Sequence, residues 1–221
     1  MDGSSVRSRA AGQYARSKTR RYLSRAAAML VLLAVVPVVA GLVAGFHNLA
    51  IIPIEVAAIA SMFVLDCVAT PIIMRWHRGA LGEEHVGAII DSLRPDGWLA
   101  IHDASTGRGN IDHVLVGPGG LFTVETKAHH GRIDPLRLDP RFLKQAYAEG
   151  KVVEGVTGLA VEPLLVFSHA YLIGCAVSRR NGVTILPARM LRRYLANGPQ
   201  GIPSARVADV YARLAAALEP E

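Results

Sequence analysis

The sequence predicts an α/β domain preceded by two membrane-spanning helices. Two long apolar runs lie near the N-terminus, between Ala26 and Met74. From Gly79 onward, strand-like and helix-like patterns alternate, as they do where helices cover a sheet. Within that part, Asn110–Lys127 (NIDHVLVGPGGLFTVETK) reads as a buried hairpin, yet it carries Asp112, Glu125 and Lys127.

The hydrophobic fraction is 51% and the mean hydropathy is +0.30, which places part of this chain of 221 residues in lipid. The net charge of +6 sits in the first 25 residues, a basic cytoplasmic tail with seven Arg or Lys against Asp2. The remainder is balanced, so the overall charge gives no sign of a nucleic-acid-binding surface. Cys67 and Cys175 lie in apolar runs without CxxC spacing, which suits buried reduced thiols and excludes a disulfide framework or a zinc site.

Residues 26–74 read as a transmembrane helical hairpin. Ala26–Phe46 has no charged residue and, at about 1.5 Å per residue, reaches across a hydrocarbon core of about 30 Å. Pro37 would kink it, which membrane helices tolerate. Leu49–Met74 is the second run, interrupted by Glu55 and Asp66, and His47-Asn48 is the turn between them. A cleaved signal peptide would have an apolar core of about 7–15 residues with no second run directly behind it. Arg-rich sequence precedes the first helix, RWHR (Arg75–Arg78) follows the second, and the turn has no Lys or Arg. The positive-inside rule then puts both termini and the domain in the cytoplasm, with the tail against anionic lipid of the cell membrane. Glu55 and Asp66, about three turns apart, share a helix face. The pair suits a homo-oligomer contact through the hairpin and equally suits acids tolerated near helix ends.

The remaining elements follow in order. Gly82–Leu93 has a helical stripe of Val86, Ile89, Ile90 and Leu93. GWLAIHDA is a strand and STGRGN a loop, and the hairpin comes next. Asp139–Val156 reads as a helix with Asp139 as N-cap and Pro140 at its first position. EPLLVFS and GVTIL are strands, PARMLRRYLANG is a helix, and residues 199–221 hold a C-terminal helix.

If the hairpin turns on Pro118 and Gly119, Gly117 faces Gly120. Stepping back along both strands then brings Asp112 opposite Glu125, on one face. Lys127 emerges on that face too. A bulge at the turn would shift this register by one. Two close carboxylates repel unless a proton or a cation intervenes, and hard oxygen ligands suit Mg2+ or Mn2+. With a lysine beside them, the set suits phosphodiester cleavage, although spacing alone favours the commoner surface salt-bridge cluster.

Gly82-Glu83, the block IDHVLVGPGGLFTVETK and the later KQA (Lys144–Ala146) resemble the nuclease-related domain, NERD, of the PD-(D/E)xK nuclease superfamily. The resemblance runs over roughly Gly79–Tyr194, within a domain of residues 79–198. It implies a restriction-endonuclease-like three-layer α/β sandwich. It also implies metal binding by Glu83, Asp112 and Glu125, a catalytic Lys127, a polar helix residue in Gln145, and DNA as substrate. Helical spacing favours Glu83 over Glu84, because Glu83 shares the inward face with Val86, Gly87 and Ile90. His129-His130 suits solvated loop residues or phosphate contacts, and His113, on the opposite strand face from Asp112, suits packing or a backbone hydrogen bond. Arg108, Arg132, Arg189, Arg192 and Arg193 could grip phosphates or form a solvated face.

The expectation is therefore a membrane-anchored, metal-dependent DNA nuclease. Its rival is a non-catalytic nucleic-acid- or protein-binding module on the same fold. A channel built on Glu55 and Asp66 fits least. With both termini cytoplasmic, a reporter fused after Glu221 is expected to work only in the cytoplasm. Activity only on the far side of the membrane would reverse the topology.

Overall fold

The computed structural model describes residues 11, 13–44, 52–107, 109–198 and 201–218. Arg7 and Arg9 of the basic tail, the His47-Asn48 turn and Arg108 lie outside the described residues. The chain divides into two compact units, one over Tyr14–Arg78 and one built on Gly79–Glu221.

The first unit holds α1 (Gln13–Ala44) and most of α2 (Ile52–Asp91). Both are long and apolar enough to cross a membrane, with mean hydropathies of 2.7 and 2.1 in their most apolar windows. Their apolar side chains stand open, Val43 at 83% and Phe63 at 71% exposure. Pro37 lies inside α1 and Pro71 inside α2. Asp66 Oδ1 accepts a 2.6 Å hydrogen bond from Thr70 Oγ1, one turn along its own helix. That bond satisfies one oxygen of the acid within its own helix.

The sequence suggested one helix ending at Met74 and another beginning at Gly82, but α2 is continuous. Arg75–Leu81 contains no proline, and its single glycine costs a helix only about 1 kcal/mol. The change in composition there marks a change of surroundings, not of backbone. The apolar stretch long enough to cross a membrane ends at Met74, and the residues from Gly79 belong to the globular unit.

That unit is a mixed α/β structure around a six-stranded sheet. Its strands are β1 (Leu99–Ser105), β2 (Asn110–Gly117), β3 (Gly120–Ile133), β4 (Glu162–Leu172), β5 (Ser178–Arg180) and β6 (Val183–Pro187). The spatial order is β1-β2-β3-β4-β6-β5. The first three strands form an antiparallel meander, β4 and β6 add in parallel, and β5 closes the edge antiparallel. The helices are α3 (Pro140–Thr157), α4 (Ala188–Ala196) and α5 (Ser204–Leu218). The end of α2 and α4 bury Val86, Ile90, Leu191 and Leu195 against Leu115, Phe122, Val124 and Val166. On the other face lie Val114, Val116 and Leu121 under Val210 and Leu214 of α5, and Leu165 and Phe167 under Leu143 and Ala146 of α3. Helices thus cover both faces in three layers, an arrangement consistent with a nuclease-like fold.

The central hairpin has the register that its turn dictates, with Gly117 opposite Gly120 and His113 opposite Val124. Its glycines also answer to a packing demand beyond the turn. A Cβ on Gly117 would lie 2.4 Å from the Trp98 ring, and one on Gly119 would lie 2.4 Å from the Leu195 carbonyl oxygen. The α3 helix starts as its cap signals require, with Asp139 Oδ1 accepting from the Arg141 amide at 2.9 Å. It ends at Gly158, whose φ of 67° is one that L side chains rarely adopt.

Two features depart from expectation. The pairing of β3 with β4 shifts between Lys127 and His130, and the short edge strand β5 was not foreseen. Cys67 and Cys175 are free but exposed, not buried: Cys67 lies on α2 among its open apolar side chains, and Cys175 falls in the loop beyond Leu172, where β4 ends.

Gly117→Ala is expected to destabilise the globular unit by about 1–3 kcal/mol through the clash with Trp98. Gly155→Ala, on an exposed position of α3 with open space around it, should stabilise by about 0.5–1 kcal/mol. Urea unfolding of the full chain in detergent, followed by tryptophan fluorescence, measures both.

Candidate active site

Adjacent strands bring the first two acids together. Asp112 and Glu125 stand one step beyond the His113–Val124 pair of the hairpin, on the face that carries α3 and α5. Asp112 Oδ2 accepts a 2.7 Å hydrogen bond from the Thr126 amide, which fixes it across the strand gap. Glu125 is only 3% exposed. Lys127, two residues on and on the same face, donates to Glu125 Oε1. It also donates to Gln145 Oε1 at 3.3 Å and lies 5.0 Å from the centre of the Phe142 ring. Gln145 Nε2 in turn donates to Glu149 Oε1 at 3.0 Å. A continuous polar chain therefore runs Glu125–Lys127–Gln145–Glu149.

Glu83 joins from α2. Its carboxyl is pushed up from 4.5 to about 8, first by burial and then by the charges of Asp103 and Glu125, with Lys127 pulling the other way. Burial, then Glu125 and Glu83, hold the Asp112 carboxyl well above its usual range against the Thr126 amide. Glu149 rises to about 9, again by burial first and the Glu125 charge second. All five residues singled out from the sequence, Glu83, Asp112, Glu125, Lys127 and Gln145, thus interact within one cluster.

Two acids escaped the sequence reading, Glu149 and Asp103, and a third, Glu84, was placed differently. Glu149 lies one turn beyond Gln145, and that i,i+4 spacing was the available signal. Asp103 is buried in β1 between His102 and Ala104, which pair with His113 and Ile111, so it falls opposite Asp112. Its φ of 52° is a left-handed conformation that aspartate enters more readily than most residues. Glu84, expected on the solvent side, is half-buried and adds to the negative charge at Glu83.

The Glu149 carboxyl also hydrogen-bonds Glu125, and that bond uses the proton that Glu149 holds. Carboxyl oxygens are the hard donors that Mg2+ or Mn2+ takes. As the side chains stand, no three His, Cys, Asp or Glu among the described residues converge in metal-holding geometry. The Lys127 ammonium instead neutralises Glu125.

The histidines differ from expectation. His113 bonds another side chain rather than the backbone, its Nδ1 lying 2.8 Å from His102 Nδ1, and His102 Nε2 lies 3.1 Å from Asp91 Oδ1. Burial, then His102, keeps His113 uncharged. His129 packs edge-on against Phe142 and Phe167. Arg192 donates to Asp96 Oδ2 at 3.3 Å, whereas Arg189 lies over the Tyr171 ring.

A carboxyl raised in the fold holds its proton more tightly there than in the unfolded chain. Its contribution to stability is complete below about pH 4.5 and is lost as pH rises to about 8 for Glu83 and about 9 for Glu149. In EDTA, Tm is therefore expected to fall across this window, and Glu149→Gln should flatten the fall. Mg2+ or Mn2+ should raise Tm more at about pH 8 than at about pH 6, since its ligands must be ionised. Thermal melts of wild type and variant check both statements.

Residues 78–168 match the family model of the nuclease-related domain, NERD. An uncharacterized protein of Bacillus anthracis is 31% identical over 84 residues, which are 36% of this chain and 39% of that protein. The chain thus spans about two fifths of the length of that relative. No solved structure matches. Glu83, Asp103, Asp112, Glu125, Lys127, Gln145 and Glu149 all fall inside the segment that matches the nuclease-related domain.

Proposed function

We propose that this chain is a membrane-anchored nuclease that hydrolyses phosphodiester bonds in DNA on the cytoplasmic side. The observation that carries the reading is Glu125. It is a carboxylate almost wholly withdrawn from water, bonded by Lys127 and by the Glu149 carboxyl, with Asp112 beside it. A cluster serving only stability would not gather acids whose carboxyls are pushed up this far, because burying them together is unfavourable.

Glu83, Asp112 and Glu125 would hold Mg2+ or Mn2+, which when bound neutralises charge on the scissile phosphate and lowers the pKa of bound water. Lys127 orients the attacking water or stabilises the charge developing on the phosphate. Gln145 positions the Lys127 ammonium through their 3.3 Å hydrogen bond. The two apolar helices serve as the anchor in the bilayer, and the face that carries Glu55 and Asp66 is where a second copy would dock.

The second reading, a binding module without catalysis, is favoured by the Lys127–Glu125 ion pair, which satisfies the motif without any cation. Cleavage separates the two. The full chain in detergent is expected to cut DNA only with Mg2+ or Mn2+. Lys127→Ala and Glu125→Gln should each lower the rate at least about a hundredfold, about 2.7 kcal/mol of barrier, while DNA binding persists. The binding module would cut nothing with any divalent ion. Unchanged cleavage in both variants would assign the activity to a contaminant. RNA in the same assay tests the substrate.

A further inference from the structure

Beside the acidic cluster, on the other side of the sheet, lies a strip of exposed rings and guanidinium groups. The shift in the β3–β4 pairing creates it. Beyond the shift, His130 pairs with His169 and Arg132 with Tyr171, so two rungs of side chains line up along neighbouring parallel strands. The His130 and His169 rings stack with centroids 4.9 Å apart. His85, from α2, stacks on His169 at 5.3 Å, making a pile of three imidazoles from three separate elements. Ser168 Oγ, 2.8 Å from His169 Nδ1, fixes the middle ring. At the next rung, the Arg189 guanidinium of α4 lies 4.1 Å from the centre of the Tyr171 ring. All six side chains are exposed.

The strip runs close to the candidate active site. A Cβ on Gly82 would lie 3.0 Å from both Ser168 Oγ and Ala128 Cβ, so α2 crosses β3 and β4 there, one residue before Glu83 and three before His85.

We propose that His85, His130, His169, Arg132, Tyr171 and Arg189 form a lane for single-stranded nucleic acid, its bases stacking on the outer rings of the pile that His169 holds together and on Tyr171, and its phosphates meeting the two guanidinium groups. This inference rests on the nucleic-acid reading of the same domain and names the form of its substrate. Ring faces can be used only by unstacked bases, because in a duplex the base faces are already covered by their neighbours. A guanidinium lying over a ring keeps N–H donors for a phosphate. Aromatic rings beside cations are the pattern of surfaces that bind single strands without reading sequence.

The test uses the full chain in detergent with EDTA, so that nothing is cut. Fluorescence anisotropy measures binding of labelled oligothymidylate of about 15 nucleotides and of a duplex of the same length. The wild type is expected to bind the single strand at least about tenfold more tightly. His169→Ala with Tyr171→Ala should weaken single-strand binding at least about tenfold, about 1.4 kcal/mol. His169→Phe with Tyr171→Phe, which keeps the rings, should retain it. Equal affinity for both forms, an alanine variant that binds like the wild type, or a phenylalanine variant as weak as the alanine one would each overturn the lane. If one of these occurs while Mg2+-dependent cleavage of DNA persists, only the lane falls. A wild type that neither binds nor cuts any nucleic acid overturns the nuclease reading with it.

Discussion

Electrostatic repulsion among carboxyl groups withdrawn from water is the constraint around which the globular unit is arranged. Two like charges about 4 Å apart repel by about 4 kcal/mol at an effective dielectric constant near 20, a large share of the stability of an ordinary domain. The fold answers in three ways. Lys127 pairs with Glu125, the Thr126 amide bonds Asp112, and the carboxyls of Glu83 and Glu149 hold protons at neutral pH. Gln145 links Lys127 to Glu149 and so ties the compensating cation to α3. Each device is local, and each depends on the sheet holding β2 and β3 in one register.

That register was legible because its signal is local. A Gly-Pro-Gly-Gly turn between alternating apolar strands allows few pairings, and the pairing alone puts Asp112 beside Glu125. Gln145 was reached through a resemblance. Glu149 required knowing that α3 packs over the end of β3, which no short-range pattern encodes. Asp103 was hidden for a related reason, since an acid in a half-apolar strand declares its importance only once the neighbouring strand is known. The shift between Lys127 and His130 has no glycine or proline at its start to announce it, so the side of the sheet reached by His130 could not be read in advance.

The helices show the converse limit. Composition changes abruptly near Gly79, and the sequence reading placed a break there, yet backbone hydrogen bonding continues through it. Hydropathy reports what surrounds a helix, whereas propensity and caps report where it stops. Between Met74 and Gly82 only the first kind of signal changes. The His102–His113 contact is another case, because two histidines eleven residues apart say nothing until β1 and β2 are paired.

Trp98 occupies the volume that side chains at positions 117 and 119 would otherwise fill, and Gly119 also lies against Gly198 just beyond α4. The indole, the hairpin turn and the chain after α4 therefore form one steric unit. Among descendants of this sequence, a smaller residue at position 98 is what would allow a side chain at position 117. These sites should accordingly drift together, so that substitution at one is accompanied by compensation at another, while the acids at the opposite end of the strands vary independently of them.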